Sequence, residues 1–213
     1  MLTEERRRQF VRSSKRTIDR FADTYERYSG RPAAEATALD FGCGVGRLAI
    51  PATDRFARVV GVDLSAGHLA ETKRNLALVD PDGTAQLDTF LMSGLDDAAN
   101  LPEADCCYSE IVLQHNTPPV MAYFLKALLK ALRPGGIAIL HIPIHHPFYA
   151  FDTEEYLKDA NAGRFMEVHV LPRETLRRLA EQVGYEIVDS QCTGGTRGVY
   201  SETFTFRAIG ALS

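Results

Sequence analysis

In ALDFGCGVGRL, residues 38–48, three glycines (Gly42, Gly44 and Gly46) stand at alternate positions directly after a short apolar run, with Asp40 two residues ahead of the first. Glycine leaves the backbone uncovered and adopts conformations closed to other residues, and the start of a helix presents unpaired N–H groups. A strand that passes through such a turn into a helix lets a ligand approach the main chain itself.

On both sides of this turn the chain alternates. TALDF predicts a strand, with a helix expected from about Arg47; ARVVGVDL is a second strand, followed by a helix from Ser65 to about Val79. QLDTFLMS and CCYSEIVLQ read as further strands, and a long helix over Val120–Arg133, closed by Pro134-Gly135-Gly136, leads into IAILHIPI. Short apolar strands alternating with helices predict a parallel sheet covered on both faces. Residues 145–172 are aromatic and polar without a clean period, and PRETLRRLAEQVGY predicts a helix from near Pro172. EIVDSQC and SETFTFRAI, joined by the Gly-rich TGGTRGVY, predict a hairpin that adds an antiparallel edge. Upstream, Phe10, Val11, Ile18, Phe21, Tyr25 and Tyr28 recur at helical intervals among charges, so residues 4–28 are one or two amphipathic helices ending near Ser29-Gly30. The expectation is one α/β domain over residues 1–213 with a doubly wound, mostly parallel seven-stranded sheet. It comprises an N-terminal helical lid (1–31), a cofactor-binding core (37–142), a substrate-side insertion (143–172) and a C-terminal helix and hairpin (173–213).

The acids choose the ligand. A dinucleotide turn of the form G-x-G-x-x-G needs its last glycine where Arg47 stands, and an acid two residues before the first glycine would repel a pyrophosphate. The ligand is expected to be cationic near Asp40. Asp63 closes the second strand 17 residues after Gly46, where a carboxylate meets ribose hydroxyls in this kind of sheet. A ribose at one acid and an amino-acid ammonium near the other describe S-adenosylmethionine.

At this point the sequence resembles the class I S-adenosylmethionine-dependent methyltransferases, on ALDFGCGVGRLAI, VVGVDLS, ADCCYSEIVLQHN and LKALLKALRPGGIAILHIP taken in order over residues 37–142. The resemblance implies a Rossmann-like fold in which Gly42, Cys43 and Gly44 line the methionine and ribose portion and Gly46 opens the helix. It implies that Asp63 with Leu64 holds the ribose and the adenine face. The family's adenine acid follows the third strand, which here ends Met92-Ser93-Gly94-Leu95 before Asp96 and Asp97; Ser93 departs from the pattern, and Ser93, Asp96 and Asp97 are alternatives, with Asp97 leading. In many small-molecule members an N-terminal helix closes over the cofactor, and Tyr25 and Tyr28 are placed to do this.

Methyl transfer is an in-line displacement at a sulfonium carbon and needs no nucleophilic side chain; holding the reactants aligned in a dry pocket supplies much of the rate. A base matters where the acceptor must lose a proton, and histidine suits that task. His115, closing the fourth strand, and His145 with His146, just beyond the fifth, are the candidates, with Phe148, Tyr149, Phe151 and Tyr156 as walls of an acceptor pocket. His141 reads as a satisfied core histidine, His169 as a weaker lining candidate and His68 as surface or adenine rim. HNTPPV invites comparison with the Asn-Pro-Pro-aromatic signature of amine methylation, but Thr117 interrupts it and Val120 stands near the aromatic position. Thr117-Pro118-Pro119 is instead a helix start.

The totals narrow the partners. Nine Lys/Arg against five Asp/Glu in residues 1–31 leave the remainder at −8 within a chain total of −4, which argues against broad nucleic-acid binding. The four cysteines lack metal-knuckle spacing, no apolar run reaches a membrane span, and the charged start MLTEERRRQF lacks a signal peptide's apolar stretch, so a cytoplasmic location without metal is expected. A small-molecule acceptor is the leading expectation. RNA or protein methylation, encouraged by RRRQFVRSSKRTIDR, and cofactor binding without catalysis are the alternatives.

Overall fold

Period-two burial explains the sheet before its topology does. In β4 (Ala104–Ser109) Cys106 and Tyr108 enter the core on one face, while the intervening Cys107 enters the core on the other. Adjacent cysteines therefore point to opposite sides of one strand and are both buried as free thiols.

The computed structural model describes residues 4–160, 162–164, 166–196 and 198–210, without the side chains of 7, 8, 11, 12 and 194–196, so Val11's expected packing lies outside the described residues. The strands are β1 (Thr37–Phe41), β2 (Arg58–Asp63), β3 (Leu87–Leu91), β4, β5 (Leu132–His145), β6 (Tyr185–Thr196) and β7 (Val199–Ala208). The helices are α1 (Glu4–Arg12), α2 (Lys15–Ser29), α3 (Ala49–Ala52), α4 (Ala66–Val79), α5 (Pro118–Lys130), α6 (Thr153–Lys158) and α7 (Arg173–Glu181). The sheet runs β3-β2-β1-β4-β5-β7-β6; β7 pairs antiparallel with both β5 and β6, and the other pairs are parallel. Strand order reverses between β1 and β4, the point where doubly wound sheets open a crevice beyond their carboxyl ends.

One face packs Ile18, Phe21, Tyr25, Leu48, Phe56 and Leu69 from the α2, α3 and α4 side against Cys106, Tyr108 and Ile139. The other packs α5 and α7, through Phe124, Leu128 and Leu176, against Leu39, Val62, Leu140 and Phe204. No described helix is long and apolar enough to cross a membrane.

Several boundaries differ from the sequence expectation. The helix after the glycine turn is only Ala49–Ala52, because residues 44–48 form turns around Gly46 at φ 89°. β4 stops at Ser109, whose hydroxyl donates to the Phe41 carbonyl at 2.9 Å, and Ile111 turns the chain away at φ 60°. His115 therefore lies on a 3₁₀ turn (Leu113–His115) and does not close the strand. α5 ends at Lys130, and Pro134-Gly135-Gly136 sits inside β5 as an irregularity: pairing with β4 jumps from Ala104↔Leu132 to Cys106↔Ile137. His145 is the last residue of β5, and His141, expected to be satisfied, has no hydrogen-bond partner at Nδ1 while burial lowers its pKa.

Candidate active site

The glycine turn is held by its neighbours. Gly42 and Cys43 N–H both donate to the Val62 carbonyl, at 2.8 and 2.9 Å. From α4, Thr72 Oγ1 donates to the Gly44 carbonyl and Asn75 Nδ2 to the Val45 carbonyl, each at 2.9 Å. Both side chains escaped the sequence reading, although two buried polar residues on the stripe of Leu69 were the available signal. The three glycines serve different ends. A methyl group on Gly42 would stand 2.4 Å from Val112, and one on Gly46 would stand 2.7 Å from Ile50, so packing excludes side chains there. At Gly44 nothing lies within 4 Å, and only this glycine opens on free space, with a φ of 57° that side chains resist. Cys43 is buried and fills the space that the missing side chain of Gly61 leaves, since a methyl there would meet its Sγ at 2.9 Å.

Asp63 faces this turn. Oδ2 accepts from Gly44 N–H at 2.9 Å and Oδ1 from Ser65 N–H at 2.8 Å, with His68 Nδ1 3.2 Å from Oδ1. Ser65, not Asp63, caps α4, by accepting from His68 N–H. A carboxylate has about four acceptor positions. Three are taken, and the one held by the exposed His68 is the most open to exchange with a ligand. Asp40 is fully buried in register with Tyr108 on β4, and both Asp40 Oδ2 and the Tyr108 hydroxyl lack hydrogen-bond partners. Burial, reinforced by Glu110 and Asp63, pushes the Asp40 carboxyl up to about 8 against the opposing pull of Arg47 and the Ala49 N–H. Arg47 is itself occupied by Glu110 at 3.1 Å and by the Ser14 hydroxyl at the start of α2.

Beside the turn lies a cavity of about 100 Å³ lined by Phe41, Gly42, Val62, Asp63, Leu64, Met92, Val112, Asn116 and Phe124. That is below the roughly 300–1,000 Å³ of pockets that enclose a whole drug-sized ligand, so it has room for one part of one. Leu64 of the lining is exposed, as are Ser93, Gly94 and Leu95, which follow the lining residue Met92 in the chain, and Asp97 folds back to accept from Ser93 N–H at 2.6 Å. Val112, Asn116 and Phe124 were not foreseen as lining. Asn116 was set aside with the failed amine signature, and its Nδ2 in fact donates to the Val112 and Leu113 carbonyls and holds the turn.

The three histidines proposed from sequence are separated. His115 Nδ1 donates to the Glu167 carbonyl at 2.8 Å, which joins the turn after β4 to the insertion. His145 is exposed against Tyr200, and His146 accepts from Phe148 N–H through Nδ1. None of the three is among the cavity lining. Tyr28 and Tyr25 do not close over this cleft. α2 runs down one face of the sheet, Tyr25 is buried against Phe56, and Arg31 just past the helix end reaches the Pro134 carbonyl and Asp105 at the amino ends of the strands. The helix is therefore packing, and its C-terminal tyrosines lie at the opposite end of the sheet from Gly44.

A seven-stranded sheet in this order, with carboxylates on the tips of β1 and β2 around a glycine turn, is the Rossmann-like methyltransferase architecture. A methyltransferase-domain family model matches residues 10–190, and the chain belongs to that family of S-adenosylmethionine-dependent enzymes. It is 33% identical to trans-aconitate 2-methyltransferase of Azoarcus sp. over 110 residues, 51% of this chain and 39% of that protein. It is 28% identical to the N-terminal Xaa-Pro-Lys N-methyltransferase 1 of Rattus norvegicus over 132 residues, 61% of this chain and 56% of that protein. These matches thus span less than two thirds of either relative. Among solved structures, the magnesium protoporphyrin IX methyltransferase of Synechocystis with bound S-adenosylhomocysteine superposes with a TM-score of 0.67 at 20% identity, covering 94% of this chain and 86% of that one.

Proposed function

We propose that this protein transfers the methyl group of S-adenosylmethionine to a small-molecule acceptor seated between the cleft and residues 143–172. The observation that carries the reading is the Asp63 carboxylate, fastened to the Gly44 amide at the mouth of an apolar cavity. The groove has the features the cofactor needs. Gly44 leaves the backbone uncrowded, Asp63 Oδ2 keeps one acceptor position for a ribose hydroxyl, and the unpartnered Asp40 Oδ2 suits an ammonium nearby. Leu64, Met92 and Val112 form walls for a flat base, and Asp97, with one oxygen committed to Ser93, is favoured over the exposed Asp96 for the adenine amino group. When bound, the cofactor supplies an electrophilic methyl group; the chain aligns it and excludes water. His115, by holding Glu167, acts as a tether between cleft and insertion, and within residues 1–31 we assign the expected covering role to α1, which packs beside α3 and α4 and joins α2 at Ser13-Ser14.

The acceptor preference is supported by the acidic body of the chain and by a relative acting on a small organic acid, although a relative acting on protein N-termini is also found. Calorimetry with S-adenosylhomocysteine tests the cofactor site. Asp63→Ala should weaken binding at least tenfold, whereas His68→Ala, which frees a second acceptor position on Asp63, should leave it unchanged or tighter; equal affinity in Asp63→Ala and wild type refutes the reading. Turnover that collapses between 50 and 200 mM salt would instead indicate a nucleic-acid acceptor.

A further inference from the structure

A second polar constellation lies in the insertion, and none of its members lines the cavity beside the glycine turn. His169 is 6% exposed, and both of its ring nitrogens are engaged: Nδ1 with the Tyr149 hydroxyl and Nε2 with Glu167 Oε2, each at 2.8 Å. Glu167 also accepts from the Tyr156 hydroxyl at 2.9 Å and, through Oε1, from Gly163 N–H at 2.8 Å. The Gly163 amide first, then His169, hold its carboxyl below the usual range. An ionised Glu167 orders the protons: Nε2 carries hydrogen toward it, so the neutral imidazole accepts at Nδ1 and Tyr149 is the donor there. The phenol keeps its own proton, since burial raises its pKa against the lowering contact of the Val170 backbone N–H, and the second lone pair of its oxygen is the one left to accept from a ligand. Rings of Tyr149, Phe151 and Tyr156 surround the imidazole at 6.0, 5.6 and 6.0 Å.

The constellation is fixed to the cleft wall. His169 N–H donates to the Gln114 carbonyl at 2.8 Å and His115 Nδ1 to the Glu167 carbonyl at 2.8 Å. Val112 and Asn116, on either side of that turn, line the cofactor cleft. Buried polar groups satisfy one another, and phenol, imidazole and carboxylate in this order beside the cleft wall also make the chain that a proton path requires.

We infer that Tyr149, His169 and Glu167 form a proton relay that deprotonates a hydroxyl-bearing methyl acceptor. The inference rests on the methyl-transfer reading above and narrows its substrate class to phenols and alcohols. As the acceptor oxygen bonds to the methyl carbon, the carbon–sulfur bond breaks and its electron pair turns the sulfonium into the thioether of S-adenosylhomocysteine. The acceptor's proton passes to the Tyr149 oxygen, and the Tyr149 proton passes to His169 Nδ1. The imidazolium, paired with Glu167, returns the proton to water after product leaves. Tyr149 touches the acceptor; His169 and Glu167 act through it. A carboxylate acceptor, already bearing a free pair, gains nothing from the relay.

The test uses the full chain and measures S-adenosylhomocysteine release from a panel of phenols, alcohols and matched carboxylates between pH 5.5 and 9. Cofactor affinity of each variant, measured in parallel, reports folding and the cofactor site independently. Turnover is expected on hydroxyl acceptors, with Tyr149→Phe and His169→Gln each lowering kcat by about 10²-fold or more at unchanged cofactor affinity. The fall in wild-type kcat at acid pH should vanish in His169→Gln and move to lower pH in Glu167→Gln, with partial rescue in Glu167→Asp; a purely structural cluster would move none of these. An unaltered kcat and pH profile in Tyr149→Phe overturns the relay, as does turnover confined to carboxylates or no hydroxyl turnover with cofactor bound. Failure of the wild type to bind cofactor refutes methyl transfer itself, and the relay with it.

Discussion

Asp40 shows why a carboxylate's position in the sequence differs from its state in the fold. The motif set an acid before three glycines, and the fold buries that acid where one oxygen finds no donor. Between pH about 4, where the unfolded residue ionises, and about 8, where the folded one does, the native state holds a proton that the unfolded state lacks. Stability therefore falls as pH rises through that window, by on the order of a few kcal/mol. The groups facing Asp40 are Arg47, Glu110, Asp63, the Tyr108 hydroxyl and the Ala49 N–H, and Arg47 and the Ala49 N–H oppose the shift. Asp40→Asn should flatten the dependence of the melting temperature on pH and make the protein more stable than wild type at pH 8. The same substitution should weaken S-adenosylhomocysteine binding, because an ammonium bound nearby favours the ionised form of Asp40 and asparagine cannot supply that charge. A melting curve with the wild-type pH slope in Asp40→Asn would show that another group titrates.

At the scale of elements, the glycine turn and the turn after β4 act as one unit, because Gly42 lies under Val112 and cannot carry a methyl group while that valine is present. Gly42→Ala combines a left-handed backbone, costing about 1–2 kcal/mol, with overpacking worth about 1–3 kcal/mol. Denaturant unfolding of Gly42→Ala in a Val112→Ala background should return roughly 1 kcal/mol or more relative to additivity. Gly44→Ala should cost only the backbone part yet reduce cofactor affinity, since its methyl enters the open groove. Ile111, β-branched and 52% exposed at φ 60°, is held in a conformation such residues avoid. Ile111→Gly is expected to gain about 1 kcal/mol of stability while lowering turnover, consistent with strain stored beside a working site. The element boundaries missed from sequence fall at these places, because left-handed turns and the β5 irregularity arise from contacts across the sheet that no local periodicity encodes.

For the whole molecule, helix α2 decides which end of the sheet carries which role. Its apolar stripe was legible, but periodicity cannot say against what a stripe packs, and Tyr25 and Tyr28 pack on the sheet, away from the cavity beside Gly42. Tyr25→Ala should cost about 3–5 kcal/mol in denaturant unfolding, as large aromatic deletions from cores do, while Tyr28→Ala should leave S-adenosylhomocysteine affinity within about twofold. A tenfold loss of affinity in Tyr28→Ala would restore the closing role. The alternation of strands and helices, the antiparallel edge hairpin, the glycine turn and the acid ending β2 were all readable from residue order, because hydrophobic period, glycine placement and strand-end acids are local properties of the chain. Tertiary structure alone decided that Asp40 is buried without a full set of partners, that of the three glycines in the turn only Gly44 faces open space, and that His115 is tied to the insertion. It also assembled Tyr149, His169 and Glu167 from a stretch without any period. These are contacts between segments far apart in the chain or folded irregularly, and burial and hydrogen-bond geometry exist only once the sheet has brought them together.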